Sequence, residues 1–199
     1  LSMAHDGHPE RHYETEVARG DYDAEIELFW DVMAEMGQPF FLRLGYEFNG
    51  SWNGYQAASF RDAYRRVAAG RGTVPAALTW CAAAEELGEW EDFYPGDAVV
   101  DWWGIDLFDT EHFTLPQVDA FMAAAHRHEK PVMIGETTSR YVGVSEGQRS
   151  WDGWYEPFFR FMAEHPGLKL FSYINWDWAG RGVGGVSDWS DWGNARLEC

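Results

Sequence analysis

The chain has 199 residues, of which 15 are basic and 33 acidic, giving a formal net charge of −18. That field repels polyphosphate and anionic lipid surfaces, which argues against nucleic acid and membrane partners. No apolar run reaches the roughly 18 residues a membrane helix needs, and the opening LSMAHDGHPERH lacks the apolar stretch of a signal peptide.

Twelve Trp, nine Tyr and thirteen Phe make up 17% of the chain. A Trp ring is costly unless it is packed and its N–H is partnered. The composition therefore fits either a Trp-rich core or a cleft lined with flat faces for a flat ligand such as a sugar ring. Cys81 and Cys199 form neither a disulfide framework nor a metal-binding pair, and Cys81, in an apolar stretch, reads as a small buried residue.

In chain order, residues 1–20 read as a polar, His-bearing loop. Asp21 and Asp23 open a helix whose Ile26, Phe29, Trp30 and Met33 recur at the helical period, and Gly37 and Pro39 stop it. A strand over Phe40–Tyr46 follows at once, then a helix from Ser59 to Ala69 and a strand over Ala76–Cys81. An acidic loop with a Pro95-Gly96 turn leads to a third strand, Val99–Phe108. Thr114 and Pro116 open a helix carrying Val118, Phe121, Met122 and Ala125 on one face. Pro131–Thr137 is the fourth strand. A helix through Trp151, Trp154, Tyr155, Phe158, Phe159 and Met162 must kink or restart at Pro157, and Leu168–Trp176 is the fifth strand. Strands alternating with helices at this interval predict βαβ units, a parallel sheet and a single domain over residues 1–199, with the Gly-rich tail beyond Ala179 as loop.

In such sheets function sits at the C-terminal strand edge. Glu47, Glu85, Asp106, Glu136 and the run Asn175 to Trp178 fall there. Glu47 and Glu136 follow apolar strands directly, in RLGYE and MIGE, where a carboxylate is out of place unless used or paired. Two facing carboxylates are what glycosidic cleavage needs, one to protonate the leaving oxygen and one to attack carbon or activate water. The competing reading is a pair of structural salt bridges, with Arg43 and Arg140 as partners.

Arg43-Leu44-Gly45-Tyr46-Glu47 followed by Gly50-Ser51-Trp52 resembles the acid/base motif of glycoside hydrolase family 26, which contains mainly β-mannanases with some β-xylanases and lichenases. The resemblance runs in order from about Asp21 to Trp178. It implies a (β/α)8 TIM barrel, with Glu47 as general acid/base, Glu136 as nucleophile, Asp106 in the sixth-strand motif, and Trp176 or Trp178 stacked on the sugar. Arg43, Tyr46, Asn49 and Trp52 complete the expected substrate-binding set. Tyr46 stands where the family usually has His, and Phe108 where it usually has a Tyr that bonds the nucleophile.

A full barrel has eight strands over about 250 residues. This chain shows only those corresponding to strands four to eight, so an incomplete α/β barrel of about five parallel strands is expected. An open edge of this kind usually drives association, so a homodimer or larger assembly is expected too. The function expected is a retaining β-glycoside hydrolase acting on a polysaccharide such as β-mannan. The alternative is an inactive remnant or carbohydrate-binding module that self-associates.

No cofactor is expected. His5, Asp6, His8 and His12 have spacings that could ligate zinc, and Glu85, Glu86, Glu89, Glu91 and Asp92 could gather calcium, but both groups read as solvated loops. Asp177, Asp188 and Asp191, interleaved with Trp178, Trp189 and Trp192, read as a solvated loop or a sugar-contacting one. GRGVGG near residues 180–185 lacks the helix a phosphate cradle requires.

Overall fold

The computed structural model describes residues 1–4, 10–179 and 189–197. Its centre is one parallel sheet of five strands in chain order: β1 (Phe40–Arg43), β2 (Ala76–Ala83), β3 (Trp102–Asp106), β4 (Val132–Thr137) and β5 (Leu168–Tyr173). Each strand pairs with the next in sequence. Every crossover therefore runs the same way, and the helices collect on one side of a curled half-barrel. The expected incomplete (β/α) barrel is what forms.

β2 and β3 are nearly continuous apolar runs because both of their faces are covered. The covering helices are α2 (Asp23–Met36), α3 (Ala57–Ala69), α4 (Pro116–Arg127) and a final stretch made of α5 (Gln148–Ser150), a π turn (Trp151–Tyr155) and α6 (Glu156–Glu164). Pro157 falls in the first turn of α6, where its missing N–H costs no helical bond. Phe60, Tyr64 and Val67 of α3 and Val118 and Phe121 of α4 are buried, as their periodicity predicts. Trp80 lies at the centre, stacked on Phe48 at 4.2 Å and 8° and edge-on to Trp103 at 4.8 Å. Trp30, Trp90, Trp103 and Trp154 are also core residues, so much of the Trp content is structural.

Residues 1–20 are not all loop. Tyr13–Arg19 form α1, which buries Val17 and Glu14 and ends at Gly20. The Glu14 carboxylate accepts the Gln56 backbone N–H at 3.0 Å, at the start of α3. This helix rests on tertiary contacts rather than on an amphipathic pattern, and a seven-residue helix has little stability of its own. His5, Asp6 and His8, whose spacing with His12 is compatible with zinc, lie outside the described residues, as do Asp188, GRGVGG and Cys199. Among the described residues no cluster of three or more His, Cys, Asp or Glu is placed to hold a metal ion.

The strands are shorter than the apolar runs suggest. β1 ends at Arg43, β3 begins at Trp102 and β5 ends at Tyr173. On the outer edge of β1, Leu1 donates its amine to the Arg43 carbonyl at 3.0 Å and accepts from the Gly45 N–H at 2.8 Å. Nearby elements expose apolar side chains: Leu28, Val32 and Met36 on α2, and Phe41 on β1.

Candidate active site

The site begins with a cation at the end of β1. The Arg43 guanidinium crosses the open mouth of the half-barrel, donating through Nη1 to Glu136 Oε1 at 2.7 Å and through Nη2 to Asp106 Oδ2. Asp106, at the end of β3, is only 1% exposed, and its other oxygen accepts from Cys81 Sγ at 3.3 Å. A buried carboxylate needs this pairing. Gly135 makes room for it, since a Cβ there would lie 2.6 Å from Asp106 Oδ1 and 2.7 Å from Arg43 Nε. The MIGE run thus carries two messages: Glu136 points to the site, and Gly135 lets the ion pair pass behind it.

Glu47 is held quite differently. It does not end a strand, as the sequence suggested, but lies in the loop beyond β1 with φ +48°. Such a backbone is uncommon for a non-glycine residue and persists only where its surroundings fix it. Here the Glu47 carbonyl accepts from Gly50 N at 2.9 Å and from Asn53 Nδ2 at 3.1 Å, and the same Asn53 amide bonds the Tyr46 carbonyl at 2.9 Å. Asn49 fastens the loop to the end of β2: its amide donates to the Ala83 and Glu86 carbonyls, both at 2.8 Å, and its oxygen accepts from Ala83 N at 2.8 Å. The Glu86 carboxylate takes both the N–H and the hydroxyl of Ser51, at 2.6 and 2.7 Å.

The loop delivers the Trp52 indole N–H to Glu47 Oε2 at 2.8 Å. Burial pushes the Glu47 carboxyl up to about 7, and the charge of Glu136 adds to the rise, while the Trp52 hydrogen bond and Arg43 oppose it. Glu47 can therefore hold a proton near neutrality. Glu136, which its charge senses, is ion-paired with Arg43. Two carboxyl groups in one site are thus given different surroundings, the arrangement that separates an acid from a nucleophile.

Of the predicted residues, Arg43, Asp106 and Glu136 are joined directly, Trp52 is joined to Glu47, and the charges of Glu136 and Arg43 reach Glu47; the Tyr46 ring lies 5.9 Å from the Arg43 guanidinium carbon. Trp176, past β5, is 39% exposed. Trp178 is not: it is 8% exposed and packs on Trp189 and Trp192 at 5.6 and 5.1 Å. Asn49 uses its donors and acceptor on the backbone, so its placement serves the loop. Arg140 pairs with Glu85, not with Glu136. Phe108 packs on Trp192 at 5.3 Å and carries no hydroxyl to offer Glu136. Sequence reasoning missed Asn53, Glu86 and Gly135. The Gly was visible beside Glu136, but the acidic run around Glu86 gives no spacing that points to Ser51.

No protein-family model matches the chain. Curated relatives do: it is 32% identical over 190 residues to the β-1,3-xylanase TXYA of a Vibrio species, covering 81% of this chain and 41% of the relative. It is 30% identical over 189 residues to a β-1,3-xylanase of an Alcaligenes species, covering 81% and 40%. The chain thus spans about two-fifths of the length of the curated relatives it matches. Among solved structures, a family 26 β-mannanase of Bacteroides ovatus superposes with a TM-score of 0.65 at 18% identity, covering 92% of this chain and 57% of that one. A family 26 endo-β-1,4-mannanase of Cellulomonas fimi gives 0.62 at 19% identity, covering 90% and 44%. The five strands and their helices therefore form a partial (β/α) barrel whose fold matches part of these family 26 barrels.

Proposed function

We propose that this chain carries the catalytic carboxylates of a retaining β-glycoside hydrolase that cuts a β-linked polysaccharide. The observation that carries the reading is the split between Glu47, buried and raised to about 7, and Glu136, ion-paired with Arg43. Protonated Glu47 gives its proton to the glycosidic oxygen as Glu136 attacks the anomeric carbon, forming a glycosyl ester and releasing the leaving sugar. Glu47, now ionised, takes a proton from water. The hydroxide formed displaces Glu136 from the sugar, and the starting protonation states are restored. Arg43 and Asp106 fix the nucleophile, Trp52 orients the acid, and Trp176 offers a stacking face.

The relatives at 30–32% identity are named β-1,3-xylanases, whereas the mannanases resemble this chain only in fold. This favours β-1,3-xylan over β-mannan as the first substrate to try. Release of reducing ends from both polymers is the test. The chain should act on at least one of them, and Glu136→Ala should lose about 10⁴-fold or more in kcat. No turnover above the Glu136→Ala control, with sugar binding retained, would favour the inactive binding module instead. We also propose self-association of two copies through the open barrel edge at β1, where Phe41 is exposed; a monomeric species in size-exclusion chromatography would remove that proposal.

A further inference from the structure

The loop after β4 and the C-terminal segment build a second feature on the same sheet edge. The Arg140 guanidinium carbon lies 4.7 Å from the Tyr141 ring centroid and 4.5 Å from that of Trp192. Its Nη1 donates to Glu85, which follows β2 and whose charge reaches Glu47. Trp192 is itself backed by Phe108 at 5.3 Å, Trp178 at 5.1 Å and Trp189 at 5.5 Å.

The two loops are locked backbone to backbone. Tyr141 N donates to Trp192 O at 3.1 Å, and Val144 N to Asn194 O at 2.8 Å. Where they cross, Gly143 and Gly193 have φ +69° and +86°, and a Cβ on Gly143 would lie 3.1 Å from the Asn194 carbonyl. On this rigid base Tyr141 stands 50% exposed at φ +68°. A bulky side chain seldom adopts that backbone, and residues held in such conformations cluster at ligand-contacting sites. A half-exposed aromatic ring is thus held beside the Glu85 carboxylate and the Arg140 guanidinium, whose side chains are 36% and 19% exposed.

We infer that Tyr141, Arg140 and Glu85 form a subsite for a further pyranose ring of the substrate chain, beyond the bond cut between Glu47 and Glu136. A pyranose offers an apolar C–H face to the tyrosine ring and hydroxyls to the charged pair, and an uncharged ligand is compatible with the chain's net charge of −18. The assignment rests on the glycosidase reading above.

Calorimetric binding of β-1,3-xylo- and β-1,4-manno-oligosaccharides, in a Glu136→Gln background that prevents turnover, tests it. Tyr141→Asn removes the ring while keeping a residue that tolerates positive φ. It should weaken the pentasaccharide roughly tenfold, equivalent to about 1.4 kcal/mol, and leave the disaccharide unchanged. Tyr141→Phe, which keeps the ring, should retain pentasaccharide affinity. Equal pentasaccharide affinity in Tyr141→Asn and its parent overturns the subsite and leaves the glycosidase reading standing. No binding of any oligosaccharide by the Glu136→Gln parent overturns both.

Discussion

Glu136 sits within β4, and its direction follows from the strand, from Gly135 beside it and from the Arg43 guanidinium. Glu47 lies in a loop with left-handed backbone, and its direction follows from side chains that bind loop to loop: Asn49, Asn53, Glu86 and the Trp52 indole. The strand-borne residue is paired with a cation. The loop-borne residue is desolvated, and its carboxyl is pushed towards holding its proton near neutral pH. Identical side chains thus acquire complementary abilities from their supports, and each support can be attacked separately.

On the loop side the first expected effect is on catalysis, second in size only to that of Glu136→Ala. Glu47→Gln removes the proposed proton donor and should lower kcat by roughly 10²–10⁴-fold, the range for loss of a general acid. Substrates with an activated leaving group should lose less in the first step. The same variant tests the linkage to stability. The folded carboxyl titrates at about 7, above its ordinary 4.5, so its stabilising contribution is full below pH 4.5 and is lost as the pH rises through 7. Denaturant midpoints of the parent should therefore fall across that window, and Glu47→Gln should flatten the fall.

The strand side should fail through stability first. Arg43→Met leaves Asp106 buried without its cation and should cost about 3–5 kcal/mol in denaturant unfolding. Gly135→Ala pushes a methyl into the Arg43–Asp106 pair and should cost about 1–3 kcal/mol while leaving the Glu47 loop intact. The smallest change is Trp52→Phe. It removes the hydrogen bond that holds Glu47 down, so the high-pH limb of kcat should move upward.

The strand side was the more legible in sequence. An apolar run closed by a carboxylate marks the C-terminal edge of a parallel strand, so β4 and Glu136 could be placed from pattern, and the order of the family-like motifs added Arg43 and Asp106. The loop side was legible in identity but not in geometry. The motif marked Glu47 and Trp52, yet the strand ends at Arg43 and the turn that follows gives Glu47 its positive φ. Asn49 entered the expected substrate-binding set through the family resemblance; its proximity to Ala83 and Glu86 depends on how β1 and β2 pair, which no local pattern encodes. Trp178 and Trp176 are indistinguishable in the INWDW run, and only packing against Trp189 and Trp192 separates the covered ring from the open one. For α1 the burial of Val17 and Glu14 decided against the polar composition.

The division of roles between the two glutamates is tested most directly by following their side-chain carboxyl carbons by NMR across pH, assigned with the Glu47→Gln and Glu136→Gln variants. The Glu47 signal should titrate with a midpoint near 7, and its midpoint should drop in Glu136→Gln, because the neighbouring charge is gone. A Glu47 midpoint near 4.5, unmoved by Glu136→Gln, would contradict the assignment of Glu47 as the proton donor.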